Sequence, residues 1–211
     1  MLTTKTNELI KEACVETEKQ IDNAIKHKAN QIELCSHLDF GGYTPSDDLI
    51  QYALDRQIKI FMMIRNRPDY STNWWNTIKL KRIIKKYTQT DVCGFVFGFL
   101  KKNKIDKKAI KQLLKVTKGK ETIFHMAFDE LENPNEGLDL LAKLGVTRIL
   151  TKGAKQGPAI NNLKQLKALK IYANNRIQLI VGGSVNDHNY QKIASATGIK
   201  YFHGRKLAFD I

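Results

Sequence analysis

Along the whole chain a short apolar run is followed by an amphipathic helical stretch, and this alternation limits the folds open to it. The apolar runs cover residues 9–15, 31–35, 58–64, 92–99, 122–128, 147–151, 177–181 and 199–203. Between them, helical spacing of apolar residues predicts helices over 18–28, 47–56, 74–87, 107–117, 135–144, 159–173 and 187–196. Ser46 before Asp47-Asp48, Asn133-Pro134 and Gly145 read as helix caps. Strands joined through helices pair in parallel, because only a crossover brings the chain back to start beside its previous strand. Eight strands, each but the last followed by a helix, predict a single-domain α/β fold, a (β/α)8 barrel of TIM type. A doubly wound open sheet is the alternative. The residues after Gly204 leave no room for a full eighth helix. Leu207 and Phe209 are therefore expected either to cover the seam between the last and first strands or to meet a second subunit, with a homo-oligomer, a dimer, favoured.

Three cysteines in 211 residues build no even disulfide framework, which fits a reducing, cytoplasmic setting. No uncharged run approaches the roughly 20 residues of a membrane span, so no membrane partner is expected. A formal net charge of +14 raises the question of nucleic acid. The excess is concentrated in residues 79–87 and 101–115, where isoleucines and leucines recur at helical spacing. Lysine there belongs to the wet side of amphipathic helices, no nucleic-acid motif accompanies it, and no nucleic-acid partner is expected.

A barrel of this type carries its working groups at the C-terminal ends of its strands. Glu33 and Cys35 share one face of their strand, with Ile32 and Leu34 on the other, and Glu12 and Cys14 are placed in the same way on the first. Arg65 and Arg67 end the third apolar run, His125 and Asp129 the fifth, Thr151 the sixth and His203 the eighth. Glu12, Glu33, Arg65, Arg67, His125, Asp129 and His203 are thus candidate catalytic residues; the same groups could instead be an ion-pair network filling the top of the barrel. Gly182, Gly183 and Ser184 follow the seventh run and Gly204 the eighth, where backbone N–H groups can cradle phosphate, although two glycines also make a tight turn. Cys93 reads as a buried structural thiol beneath the helices. Trp74 and Trp75 open a helix on the outside, where core or interface packing uses them.

The stretches "IELCSHLDFGGYTPS", "MIRNR", "FHMAFD", "RILTKG", "GGSV" and "FHG" make the chain, from about Glu12 to Lys206, resemble the CutC copper-homeostasis family, whose members look like (β/α) barrels. Met126 stands where that family usually has arginine. The resemblance implies copper handling in the cytoplasm, with Cu(I) held by cysteines of the first two strands, here Cys14 and Cys35; soft thiolates favour that ion. The competing reading is a barrel enzyme acting on a small anionic, phosphorylated metabolite. Glu33 or His125 would then be its base, and His203 or Arg65 would stabilise an oxyanion. A non-catalytic barrel that docks a partner protein is a third class.

Overall fold

The structure is a computed structural model and describes residues 8–209. The eight strands are β1 (Ile10–Val15), β2 (Gln31–Leu34), β3 (Ile60–Met63), β4 (Gly94–Phe97), β5 (Glu121–Phe124), β6 (Arg148–Thr151), β7 (Gln178–Val181) and β8 (Tyr201–Gly204). All pair in parallel and close into a barrel, β8 returning to β1. Among the described residues seven α-helices cover it: α1 (Glu18–Lys26), α2 (Asp47–Asp55), α3 (Trp74–Tyr87), α4 (Lys107–Leu114), α5 (Pro134–Leu144), α6 (Leu163–Ala173) and α7 (Tyr190–Thr197). The expected barrel is the one observed.

Alternation along the strands separates two apolar clusters. Cys14, Cys35, Phe61, Met63, Val96, Ile123, Leu150 and Ile180 fill the barrel, while Ile32, Leu34, Phe95 and Phe97 pack outward under the helices. The bottom is plugged by Arg148, buried between Phe61 and Tyr201, with its guanidinium 4.9 and 4.6 Å from their ring centres and 2.5 Å from Glu121.

The expected caps are present. Ser46 accepts from Leu49 N–H, Asn133 accepts from Glu136 N–H ahead of Pro134, and Gly145 ends α5 at φ +85°. Element ends differ where side chains divert the backbone. Strand β5 stops at Phe124 because the His125 ring accepts from Ala127 N–H and starts a 3-10 turn, Met126–Glu130. Helix α7 begins three residues late because Asn186 and Asn189 side chains hold the intervening turn. A small hairpin pairs Leu100–Lys101 with Lys104–Ile105 through Lys102 and Asn103, both at positive φ. Its turn escapes sequence reading because lysine is not a residue that announces that backbone.

No helix follows β8 among the described residues. Leu207 is buried, Phe209 packs on the same outer core, and Ala208 N–H donates to Asp187 at 2.7 Å, so the chain covers its own seam. Cys93 departs from expectation. It is half-buried and packs against the barrel's inner cluster rather than beneath the helices, although its backbone still bonds both neighbouring strands, its N–H donating to Ile60 C=O and its C=O accepting from Glu121 N–H.

Candidate functional site

Strands β8, β1 and β2 are neighbours, and their register decides which inward side chains meet. Glu12 is level with His203, and Cys14 is level with Glu33. His203 Nδ1 lies 2.9 Å from Glu12 Oε1, and Gln31 Nε2 donates to the other Glu12 oxygen at 2.5 Å. The second nitrogen of His203, Nε2, is 3.5 Å from Glu33 Oε2, which in turn is 3.4 Å from Cys14 Sγ. All of these residues are buried.

Low polarity around them redistributes their protons. Burial pushes Glu33 well above the usual carboxylate range and Cys35 well above the usual thiol range. The Cys35 thiol, followed by His203, pulls Cys14 down to about 5 against the cost of its own burial. Burial opposes a charged imidazole at His203, but Glu33, Cys14 and Glu12 outweigh it and hold the ring well above its ordinary value. The cluster therefore favours a Cys14 thiolate beside a His203 imidazolium, with the Glu33 carboxyl holding a proton.

Cys14, Glu33, Cys35 and His203 form one wall of a cavity of about 150 Å³ at the C-terminal mouth, with Glu12 and Gln31 behind them. Arg65, Tyr70, His125 and Met126 form the other wall, with Arg205 among the lining residues. Burial, then the Arg65 charge, lowers His125 to about 3, so the ring is neutral. Its Nδ1 accepts from Ala127 N–H at 3.2 Å, which puts the proton on Nε2. That buried Nε2 and Glu33 Oε1 have no hydrogen-bond partner among the described residues.

Arg65 is engaged by the loops around it. Its Nη1 donates to the carbonyls of Phe40, Gly41 and Gly42 at 3.3, 2.9 and 3.2 Å, and Nη2 donates to Pro68 at 2.5 Å. The Gly41-Gly42 pair makes this possible. Both sit at positive φ, and a Cβ on Gly42 would come 3.1 Å from Cys35 Sγ. Those glycines aim carbonyls at Arg65 and roof Cys35 in the same turn.

Other candidates lie elsewhere. Arg67 is largely exposed, pairs with Asp69 at 3.2 Å and does not line the cavity. Asp129 lies beside a larger, mostly apolar groove of about 740 Å³ against α6. It accepts from the Thr151 hydroxyl and, at 3.0 Å, from Lys152 N–H. Gly182, Gly183, Ser184 and Gly204 are absent from the cavity wall. Gly204 is needed for packing, since a Cβ there would meet the Val185 carbonyl at 2.3 Å, and Gly183 combines φ +85° with close approach to Lys152. Two site residues escaped sequence reading. Gln31 was signalled only by being polar two residues before Glu33 in an apolar run, and Tyr70 comes from a loop with no periodicity.

Burial raises Asp129 to about 6. Its folded carboxyl holds the proton more tightly than the unfolded one, so it adds stability below about pH 3.8 that is lost as pH rises through about 6. The difference is roughly 3 kcal/mol at 1.36 kcal/mol per pH unit. In urea unfolding, Asp129→Asn should gain on the parent protein between about pH 4 and 6 and run parallel to it at higher pH; a constant offset would count against a buried, raised carboxyl.

The family model described as the CutC family matches residues 9–208. A family protein CutC of Streptococcus pyogenes serotype M6 is 35% identical over 208 residues, 94% of this chain and 100% of that protein. The human copper homeostasis protein cutC homolog is 35% identical over 202 residues, 93% of this chain and 73% of that one. The crystal structure of CutC from Streptococcus agalactiae is similar with a TM-score of 0.88 at 36% identity, covering 94% of this chain and 99% of that chain.

Proposed function

The chain belongs to the CutC family, and on that premise we propose that it binds Cu(I) in the mouth of its barrel through Cys14, Glu33 and His203, with Cys35 beside them. The observation that carries this reading is that one donor atom from each of Cys14, Glu33 and His203 lies within 4.8 Å of the others. A sulfur and an imidazole nitrogen suit a soft monovalent ion better than the hard divalent ions that oxygen ligands hold. A Cys14 pKa of about 5 means that no thiol proton has to be removed at neutral pH before the metal binds. Glu33 would offer Oε2, which lies 3.4 Å from Cys14 Sγ and 3.5 Å from His203 Nε2, once it gives up the proton that burial holds on it. Three free cysteines fit the reducing cytoplasm where such an ion is handled, and no helix among the described residues is long and apolar enough to cross a membrane.

Anaerobic titration against a chromophoric Cu(I) chelator tests the reading. One equivalent should bind, Cys14→Ser should weaken binding by about 100-fold or more, and Cys93→Ser should leave it unchanged. Equal affinity in the Cys14→Ser, Cys35→Ser double variant would overturn it.

A second reading, a barrel enzyme for a small anionic ligand, is favoured by His125, a cavity-lining residue whose buried Nε2–H has no acceptor among the described residues. Phosphate or a short carboxylate should then stabilise the fold, by about 1.4 kcal/mol at tenfold excess over Kd. Chloride at matched ionic strength should not; equal stabilisation by chloride would reduce the effect to general screening of a cationic protein.

A further inference from the structure

We propose that the metal-free protein is a covalent acyl-transfer catalyst: Cys14 is its nucleophile, His203 its general base and acid, and His125 its oxyanion donor, with Glu12 positioning His203. The inference deepens the second reading above and rests on it, by naming the reaction and the ligand class.

The arrangement follows from strand register. Glu12 and His203 are level across β1 and β8, which puts the carboxylate 2.9 Å from Nδ1. With Nδ1 taken, Nε2 is the nitrogen that faces Glu33 and the Cys14 sulfur, and the donor atoms of these three residues lie within 4.8 Å of one another. Glu12 cannot swing away, because Gln31 holds its second oxygen at 2.5 Å. A nucleophile, a base beside it and a carboxylate fixing the base's tautomer make up the arrangement by which sulfur and oxygen nucleophiles are activated on unrelated folds.

A carboxylate behind a histidine also occurs at metal centres, so the opposite wall decides the point. His125 is 4% exposed and lines the same cavity, and its buried Nε2–H has no acceptor among the described residues. A cation cannot satisfy that donor; an oxygen bearing developing negative charge can. The cavity, at about 150 Å³, holds about five waters' worth of volume, which limits the ligand to a short acyl group. Met63, Met126 and Leu150 give it apolar walls. The ligand class is therefore a short-chain acyl thioester or ester whose leaving group projects out of the mouth.

The reaction balances with water alone. The Cys14 thiolate attacks the carbonyl carbon with no proton to lose, the His203 imidazolium beside it, while the carbonyl oxygen takes charge against His125 Nε2–H. The bond to the leaving group breaks as His203 gives its Nε2 proton to it, leaving an S-acyl Cys14 and a neutral imidazole. Water then attacks that carbonyl with His203 as base, the C–S bond breaks, and a carboxylic acid and the restored thiolate–imidazolium pair result.

The test uses chelator-treated protein and two probes, 4-nitrophenyl acetate and a short acyl thioester. Intact mass should rise by one acyl group, peptide mapping should place it on Cys14, and nitrophenol should appear in a burst of one equivalent. Cys14→Ala should abolish the adduct and Cys93→Ser should not. His125→Gln should slow acylation by about 100-fold while leaving Cu(I) affinity unchanged. Glu12→Gln should both slow acylation and move the midpoint of its pH profile, which a merely structural loss would not do. An adduct that is absent from the folded parent, or that maps to Cys93 or to lysines, would overturn the proposal. If no adduct forms but short carboxylates still stabilise the fold, the inference falls and the ligand-binding reading stands; if neither occurs, both fall.

Discussion

Arg65→Ala should destabilise the protein by about 3–5 kcal/mol, because it removes several hydrogen bonds to a buried charged group and orphans their carbonyls. Arg65 is 4% exposed and its guanidinium serves four carbonyls, three of them in the loop after β2 and one in the loop after β3. Hydrogen bonds to a charged group contribute about 1.5–3 kcal/mol each, and the orphaned carbonyls would have to find water or expose themselves. Lysine has no fork to reach both loops, so Arg65→Lys should recover less than half of the loss. Urea unfolding at neutral pH measures it. A cost below about 1 kcal/mol would show that the loops hold their shape without the arginine. The loop that roofs Cys35 should loosen in the same variant, so Cys35 should become more reactive towards thiol reagents although no neighbour of its sulfur has changed.

Alkylation of Cys14 in the metal-free protein should rise with pH through a midpoint near 5, where an ordinary thiol is silent. Cys14 is 5% exposed at the cavity wall, so the reaction with iodoacetamide will be slow, but its pH profile reports the thiolate. Cys35, which burial pushes well above the usual thiol range, should stay unmodified at neutral pH. Removing the groups that hold the thiolate, by Cys35→Ala or His203→Gln, should move the midpoint upward and lower the rate at pH 6 by about tenfold for each pH unit by which the midpoint comes to exceed 6. A midpoint unchanged in both variants would contradict the assigned causes. Linkage adds a stability signature. The lowered Cys14 pKa contributes stability that falls away as pH drops towards 5. The raised His203 pKa contributes stability that is complete below about 6.5 and falls away as pH climbs through the folded value. The stability deficit of His203→Gln should accordingly shrink in alkaline solution.

The barrel was legible residue by residue, because strand alternation and helical spacing are local and each strand–helix unit carries them independently. Alternation also placed Glu12, Cys14, Glu33, Cys35, His125 and His203 inward at one mouth, since a period of two sends every second side chain to the same face. The copper-family resemblance was legible for a different reason: the "GGYTPS" loop is specified by backbone demands at Gly41 and Gly42, where a side chain at positive φ would be strained. Which of those groups work together depends on how the sheet closes. The pairing of Glu12 with His203, 191 residues apart, depends on β8 closing against β1, and nothing near either residue encodes that register. The same holds for Arg65 and Arg67. Two residues apart and chemically identical, they differ in that one is drawn inward by four carbonyls and the other is left outside with Asp69. Proton positions were beyond reach as well, because burial and neighbouring charge, not residue type, lower Cys14 and raise Glu33 in one cavity. Local periodicity selects the face a side chain takes; the closing of the sheet selects its neighbours, and the neighbours set its chemistry.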